Sequence, residues 1–287
     1  MDKKQLAFWW SMASVFGISA YVIAGKLAFN SGIGDAVNFS CQVAFAASVF
    51  LFLAAMFGEG KKSLRVSGKS IKYILMAGLF GGALNYGFSF FGLQHTTAIN
   101  SSFVTEASVF FTVILAFIFL GERLNLSKAL LVIFLLFGVY LVSTGGNSVA
   151  INNGDIFILI ASFFVSVGYI FAKRGLCMTP AIIFSAYRTI FASVVLFGYL
   201  LVSGALVFPI YYFWALVNGA AQAAGIFATY KALEYATASY ASLMMVVTTV
   251  VTAICAWIFL GESMNVAQMT GGAIILISVY FVEKANV

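Results

Sequence analysis

The sequence predicts an all-α integral membrane protein, and three observations lead to that fold class. Of the 287 residues, 63% are hydrophobic and only 8% are charged, whereas soluble domains carry about 25% charged residues. The apolar residues fall into runs long enough to cross a bilayer, and the second half of the chain repeats sequence from the first. A soluble enzyme and a disordered chain are excluded, because so few charged side chains cannot cover a globule of this size in water.

The apolar runs have the length of a membrane-spanning helix, which needs about 20 mainly apolar residues. About ten segments satisfy that length, at residues 7–28, 36–57, 73–93, 98–120, 127–144, 155–175, 181–203, 209–231, 236–260 and 267–282. The first run is long for the apolar part of a signal peptide, and no clear cleavage site follows it. We therefore interpret it as the first helix.

The positive charges predict the orientation of these helices. With the N-terminus in the cytoplasm, every Lys and Arg except Lys26 and Arg188 falls on the cytoplasmic side. Cytoplasmic loops are enriched in Lys and Arg, so both termini are expected in the cytoplasm of a multi-pass protein of the cell membrane. The net charge of +6 then reflects topology, and we expect no nucleic-acid partner.

An internal repeat divides the chain into two halves. A shift of 140 residues aligns Leu93–Asn125 with Leu233–Asn265 without a gap, and 13 of the 33 positions are identical. Earlier helices show weaker matches, in which Lys26 aligns with Arg174. Because each half holds five helices, an odd number, the second half enters the membrane from the opposite side. We predict two inverted five-helix repeats, 1–147 and 148–287, an architecture common among secondary transporters.

Several kinds of chemistry are disfavoured by composition. One histidine and three cysteines cannot supply the clustered ligands of a zinc or iron–sulfur site. The phosphate-binding pattern G-x-x-x-x-G-K-[ST] does not occur. We expect no cofactor, no metal and no enzymatic activity. An intramembrane enzyme is disfavoured, because it needs a set of metal ligands or an activated nucleophile and the sequence shows neither. A sensor or scaffold is disfavoured because it usually carries a soluble output domain, which the sequence does not show.

Two five-helix halves, each with an apolar helix that ends in Leu-Gly-Glu before a short last helix, resemble the drug/metabolite transporter superfamily, and specifically its EamA family. The resemblance covers nearly the whole chain. It implies a basket of helices 1–4 and 6–9 around a central cavity, with helices 5 and 10 at one side. It also implies export of amino acids, similar small metabolites or drugs.

The chain departs from the family pattern at two places. Val109 and Thr249 stand where the family often has proline, so we expect the fourth and ninth helices to be straighter. In helix 2, where the family often has arginine, Val43 stands opposite Arg188 of helix 7.

Two charges lie within predicted spans, where a charged side chain costs about 2.5–3.5 kcal/mol on insertion scales. Arg188 in helix 7 suits bidentate binding of a substrate carboxylate or phosphate. Glu106 in helix 4 suits a substrate ammonium, and it is also a candidate to carry a proton. The alternative is that the two pair with each other or with backbone carbonyls and only hold the bundle together.

Further candidates are aromatic and amide side chains within spans, because aromatic rings bind apolar or cationic groups and amides can bond substrate or a neighbouring helix. The substrate-binding candidates of these two kinds are Tyr86, Phe90, Tyr187, Gln42, Asn85 and Gln222. His95 is a second proton-coupling candidate.

The predicted function is secondary active export of small metabolites, most simply amino acids, by alternating access through a central cavity. The alternative is a multidrug or organic-cation exporter, which the aromatic residues and Glu106 favour and Arg188 disfavours. The expected partners are a small-molecule substrate and the lipid bilayer, with the chain a monomer or a homodimer. The sequence leaves open the substrate, the direction of transport and the coupling ion.

Overall fold

The described part of the chain consists of helices joined by turns and short irregular segments. The computed structural model describes residues 2–58, 64, 66–122, 126–146, 152–206 and 211–284. Within these ranges it contains α-helices and one π-helical turn, with no strand. An all-helical architecture is therefore confirmed for the described part of the chain.

The first half contains α1 (Lys3–Asn30), α2 (Ala36–Gly58), α3 (Gly68–Gly78), a π-helical turn (Leu79–Leu84), α4 (Asn85–Gln94), α5 (Ala98–Thr105), α6 (Ala107–Leu120) and α7 (Leu126–Thr144). The second half contains α8 (Asn153–Gly175), α9 (Ala181–Val202), α10 (Tyr212–Tyr235), α11 (Ala238–Met245), α12 (Val247–Leu260) and α13 (Val266–Lys284). Each predicted apolar segment coincides with one helix or with consecutive helical pieces.

Among the described residues, seven helical segments are long and apolar enough to cross a membrane. They are Lys3–Asn30, Ala36–Phe57, Gly68–Gln94, Ala98–Leu120, Asn153–Gly175, Ala181–Val202 and Ala238–Leu260. Ala129–Val142 and Val266–Val282 are shorter apolar helices, and α10 has 24 residues but is not among the seven. The count of ten spans and the cytoplasmic termini stay predictions.

Some residues behind those predictions lie outside the described ranges. They are the expected cytoplasmic cations Lys61, Lys62, Arg65 and Arg123, and the predicted boundary between residues 147 and 148.

The outer surface of the bundle is apolar. Large side chains such as Phe57, Phe213 and Val202 are 86%, 68% and 90% exposed, while many serines and threonines are buried. Soluble monomers rarely expose broad apolar surface. This surface suits contact with lipid.

Each repeated Leu-Gly-Glu run ends a helix and begins a contact with the other half. Gly121 and Gly261 adopt left-handed φ values of 69° and 67° that favour glycine. Glu122 then accepts hydrogen bonds from the backbone N–H groups of Ala238 and Ser239 at 2.8 and 3.2 Å, at the start of α11.

The matching contact lies at the opposite ends of the same helices. Glu262 accepts from the N–H groups of Ala98 and Ile99 at 3.3 and 3.4 Å, at the start of α5. The end of each segment thus meets the start of the other. Ala98–Leu120 and Ala238–Leu260 therefore run antiparallel.

A second pair of matching contacts involves lysines. Lys26 donates to the carbonyls of Leu93 and Thr96, and Lys173 donates to those of Leu233 and Ala236, which are 140 residues further on. The alignment of Lys26 with Arg174 is therefore wrong in terms of contacts, since Arg174 bonds the carbonyl of Phe119 instead. Loop-length differences shift this part of the alignment.

The fourth and ninth helices are not continuous α-helices, and whether they are straighter than those of the family stays a prediction. Regular α-helix is interrupted at Glu106 between α5 and α6, and at Val246 between α11 and α12. Just after each interruption, a backbone N–H donates to the carbonyl three residues earlier in the chain. Val109 donates to Glu106 at 3.0 Å, and Thr249 donates to Val246 at 3.1 Å. A tighter turn, which needs no proline, replaces the α-helical pattern at both positions.

Glycine contacts bring the central helices together. α1 packs chiefly against α10, and a methyl group on Gly17 would lie 2.6 Å from the backbone nitrogen of Gly225. α8 packs against α4 and the π-helical turn, where a methyl group on Gly168 would lie 2.8 Å from the nitrogen of Gly81. α7 and α13 pack chiefly against each other.

Candidate functional site

A cavity of about 140 Å³ lies between helices of both halves. A single water needs roughly 10–15 Å³ on such a scale, so the space suits a small molecule. The lining residues are Ile18, Tyr21, Val22, Gly81, Asn85, Tyr86, Ser89, Phe90, Leu93, Ser101, Ser102, Thr105, Glu106, Ser108, Val165, Tyr169, Arg188, Gln222, Ile226, Thr229, Tyr230, Ser242, Met245 and Thr248.

Arg188, on α9, lines this cavity and is only 3% exposed. Its Nε donates to the carbonyl oxygen of Ala77 at 3.4 Å, its Nη1 to the hydroxyl of Tyr86 at 2.6 Å and its Nη2 to the carbonyl oxygen of Gly81. The rings of Tyr86 and Tyr230 lie 5.3 and 5.5 Å from the guanidinium carbon. Backbone dipoles and aromatic faces thus stabilise the buried cation.

The backbone partners of Arg188 depend on the π-helical turn. Gly81 lies within the turn and Ala77 lies just before it, and such turns occur often at functional sites. A guanidinium has five N–H groups, and three of those of Arg188 have partners among the described residues. One N–H on each terminal nitrogen is left for a ligand, which suits the two oxygens of a carboxylate.

Glu106 lines the same cavity and is 4% exposed. It occupies the interruption between α5 and α6, and its Oε1 accepts a hydrogen bond from the hydroxyl of Thr249 at 3.0 Å. Among the described residues, no ion pair joins Glu106 and Arg188. The cavity therefore holds a guanidinium group and a carboxyl group that bond to neutral partners rather than to each other.

Four other predicted residues also line the cavity. Tyr86 and Phe90 contribute aromatic surface, and Asn85 donates to the carbonyl of Ala161 at 3.0 Å, which joins α4 to α8. Gln222 is 4% exposed, and neither its amide nitrogen nor its oxygen has a hydrogen-bond partner in the described part of the chain. Tyr21 is near enough to interact with that amide.

Three predicted residues lie outside the cavity lining. The half-buried Tyr187 donates to the carbonyl of Leu64 at 3.0 Å, and Gln42 is half-buried on α2. His95 is exposed, with a ring nitrogen 2.8 Å from the carbonyl oxygen of Phe91. Their proposed roles in binding or proton transfer stay predictions.

The hydroxyl groups of the cavity were not singled out from the sequence. Ser101, Thr105 and Ser108 share one face of the fourth segment at helical spacing, and all three line the cavity. Ser102 and Ser242 line it from repeat-related positions. The signal that could have identified them is a hydroxyl that recurs 140 residues later in an apolar helix, as Ser102 recurs at Ser242 and Ser108 at Thr248.

No metal site accompanies this cavity in the described ranges, where no group of three His, Cys, Asp or Glu residues could hold a metal ion.

Comparisons with known proteins agree on the kind of protein. A sequence model of the EamA-like transporter family matches residues 5–144 and again residues 152–283. An uncharacterized transporter of Archaeoglobus fulgidus is 26% identical over 90% of this chain and 94% of its own length. An uncharacterized transporter of Methanothermobacter thermautotrophicus is 26% identical over 55% of this chain, and the match spans 50% of that protein.

The fold is also found in a solved structure. One crystal structure covers 96% of this chain and 99% of its own, with a TM-score of 0.72. Its sequence identity is 14%, so the likeness concerns the fold alone.

Proposed function

The chain belongs to the EamA-like transporter family, and on that premise we propose that it exports small zwitterionic metabolites, most simply amino acids. The family places it among multi-pass transporters of a cell membrane. Substrate class, direction and mechanism are the proposal. Without a phosphate-binding loop in the sequence, transport by this chain is secondary, driven by a gradient.

The observation that carries the proposal is the presence of Arg188 and Glu106 in one buried cavity. A zwitterion carries one carboxylate and one ammonium. Arg188 has two N–H groups left for the carboxylate, and Glu106 offers a carboxylate to the ammonium. Binding of both ends replaces the water that each charge loses on burial, so both side chains become paired only when substrate is present.

Two inverted halves supply two states for alternating access. The family model matches each half separately. Antiparallel packing of Ala98–Leu120 and Ala238–Leu260, with reciprocal contacts by Glu122 and Glu262, supports this architecture. Movement of one half against the other then opens the cavity first to one side of the membrane and then to the other.

The second candidate is export of organic cations or drugs. The rings of Tyr21, Tyr86, Phe90, Tyr169 and Tyr230 line the cavity, and aromatic faces bind cations. Arg188 opposes this candidate, because a fixed cation in the same cavity repels a cationic ligand that lacks a carboxylate.

Counterflow in proteoliposomes separates the two. Vesicles loaded with a mixture of amino acids are challenged with each labelled amino acid, and parallel vesicles with labelled organic cations. We expect accelerated exchange of amino acids. Exchange of cations alone by folded protein rejects the amino-acid proposal and favours the second candidate.

A further inference from the structure

The cavity lining contains neutral polar groups that have no partner at hydrogen-bond distance in the described part of the chain, although Tyr21 lies near one of them, the Gln222 amide. Both amide atoms of Gln222, the hydroxyl of Ser102 and the hydroxyl of Thr248 are buried and have no hydrogen-bond partner there. All three residues line the cavity, and all are more than nine-tenths buried, with exposures of 4%, 4% and 6%.

Unsatisfied groups of this kind are not general in the cavity. Thr229 bonds the carbonyl of Gly225 at 2.9 Å, Ser242 that of Ser239 at 2.9 Å and Thr105 that of Ser101 at 2.8 Å. Most buried polar groups in proteins have such partners. Gln222, Thr248 and Ser102 therefore differ from Thr229, Ser242 and Thr105, whose hydroxyls bond backbone carbonyls in the same cavity lining.

Their chemistry defines what would satisfy them. The Gln222 amide offers two donors and an acceptor, and each hydroxyl offers one donor and acceptor positions. None of the three side chains is charged. α1 packs against both α10 and α12: its Ser19 donates to the carbonyl of Thr248 at 3.4 Å, and its Tyr21 is near enough to interact with the Gln222 amide.

We infer that Gln222, Thr248 and Ser102 form a neutral hydrogen-bonding subsite for the side chain of the substrate. The inference rests on the proposed function, in which Arg188 and Glu106 bind the carboxylate and the ammonium. The substrate then carries a third, uncharged polar group, a hydroxyl or an amide. An apolar side chain of the same size leaves the three groups unsatisfied, and a site built to bond a polar group rejects such an analogue strongly.

The wild-type protein tests this without any substitution. Counterflow is measured for pairs of amino acids of similar size, threonine against valine and glutamine against methionine. We expect the polar member of at least one pair to exchange about tenfold faster or more, the ratio that corresponds to one net hydrogen bond. Equal exchange within both pairs overturns the subsite while leaving the proposed function intact.

Two variants then assign the preference to residues. Gln222→Met and Thr248→Val keep the side-chain size and remove the polar groups, so the polar-over-apolar preference should fall severalfold in each. Thr112→Val is the matched control, because the Thr112 hydroxyl is also buried and unpartnered but does not line the cavity. A preference that survives both cavity variants overturns the assignment.

Thermal stability separates a substrate subsite from a structural role. If Gln222 bonds substrate only, Gln222→Met leaves the melting temperature of the substrate-free protein unchanged or raises it, because an unsatisfied buried amide is removed. A fall of several degrees shows that the amide holds the bundle together and contradicts the inference. Absence of exchange for every amino acid rejects the proposed function, and the subsite with it.

Discussion

The segments Ala98–Leu120 and Ala238–Leu260 are matching parts of the two halves, but only the first has an acidic residue at the point where its helix is interrupted. Both are interrupted at the equivalent residue, both end in a left-handed glycine, and both place hydroxyls in the cavity. The first segment has Glu106 at its interruption, and the second has Val246. Thr249, which bonds Glu106, occupies the position that Val109 occupies in the first segment.

The two halves thus share their helix geometry but differ in the charged residues that line the cavity. The shared features concern backbone geometry and helix ends, which any pair of related halves needs in order to pack against each other. Some charged residues are shared as well, such as Glu122 and Glu262, but Arg188 and Glu106 of the cavity lining are not. Arg188 on α9 likewise stands opposite Val43 on α2, which is fully buried. The helix geometry is repeated in both halves, whereas Arg188 and Glu106 each occur in one half only.

The largest expected effect comes from removing the positive charge. Arg188→Ala should lower exchange of zwitterionic substrates by about 100-fold or more, since a buried hydrogen-bonded charge pair typically contributes several kcal/mol. Arg188→Lys keeps the charge without the planar fork and should recover only part of the activity. Counterflow checks both.

Folding must be followed in the same samples, because the carbonyls of Ala77 and Gly81 lose their partner. Monodisperse Arg188→Ala protein with wild-type exchange would remove Arg188 from the site.

The negative charge is expected to matter next. Glu106→Gln should lower exchange about tenfold or more, because the amide cannot pair with an ammonium as a carboxylate does. Glu234→Gln is the matched control: the same change in a partly exposed pair with Lys231, where little effect is expected. Equal loss in both variants would show that the effect is not specific to the cavity.

The pH response of exchange should depend on the same residue. The other ionisable groups of the cavity lining are Tyr21, Tyr86, Tyr169, Tyr230 and Arg188, which ordinarily titrate near 10 or above 12. Protonation of Glu106 removes the partner of the ammonium, so wild-type exchange should fall as the pH is lowered. Glu106→Gln should flatten this dependence, and an unaltered pH profile in the variant would assign it elsewhere.

The reciprocal helix-end contacts should have a smaller effect, on stability. Glu122→Gln and Glu262→Gln each weaken two hydrogen bonds at a helix start, where a side-chain cap contributes about 0.5–2 kcal/mol. The Glu122 contacts, at 2.8 and 3.2 Å, are shorter than those of Glu262 at 3.3 and 3.4 Å. Glu122→Gln should therefore lower the melting temperature more, and the reverse order would contradict this comparison.

The smallest effect is expected from Thr249→Val. It removes one hydrogen bond to Glu106 and makes the second segment resemble the first, which has Val109 at the matching position. Exchange should fall only a few-fold, with the pH response retained, as measured in the same assay. A loss as large as that of Glu106→Gln would mean that Thr249 itself contacts substrate.

The sequence predicted most of the helical architecture. Apolar length located the helices, because crossing a bilayer fixes that length, and the cost of buried charge singled out Arg188 and Glu106. The repeat pointed to Glu122 and Glu262, although not to the helix starts that they contact.

The site was predicted less completely. The interruption at Glu106 contains no proline that would predict it. The π-helical turn, in which Gly81 accepts from Arg188, packs against α8 and α9, which are distant in sequence. Helical spacing shows which residues share a face, but the rotation of each helix in the bundle decides which face meets the cavity. For that reason Tyr86 lines the cavity whereas Tyr187 bonds the carbonyl of Leu64.

The most direct test compares the exchange of an amino acid with that of its decarboxylated amine, in wild-type protein and in Arg188→Ala. If Arg188 binds the carboxylate while Glu106 binds the ammonium, the wild type exchanges the amino acid far faster than the amine, and Arg188→Ala loses that preference. A wild type that exchanges both equally, or an Arg188→Ala variant that keeps the full preference, would contradict the account.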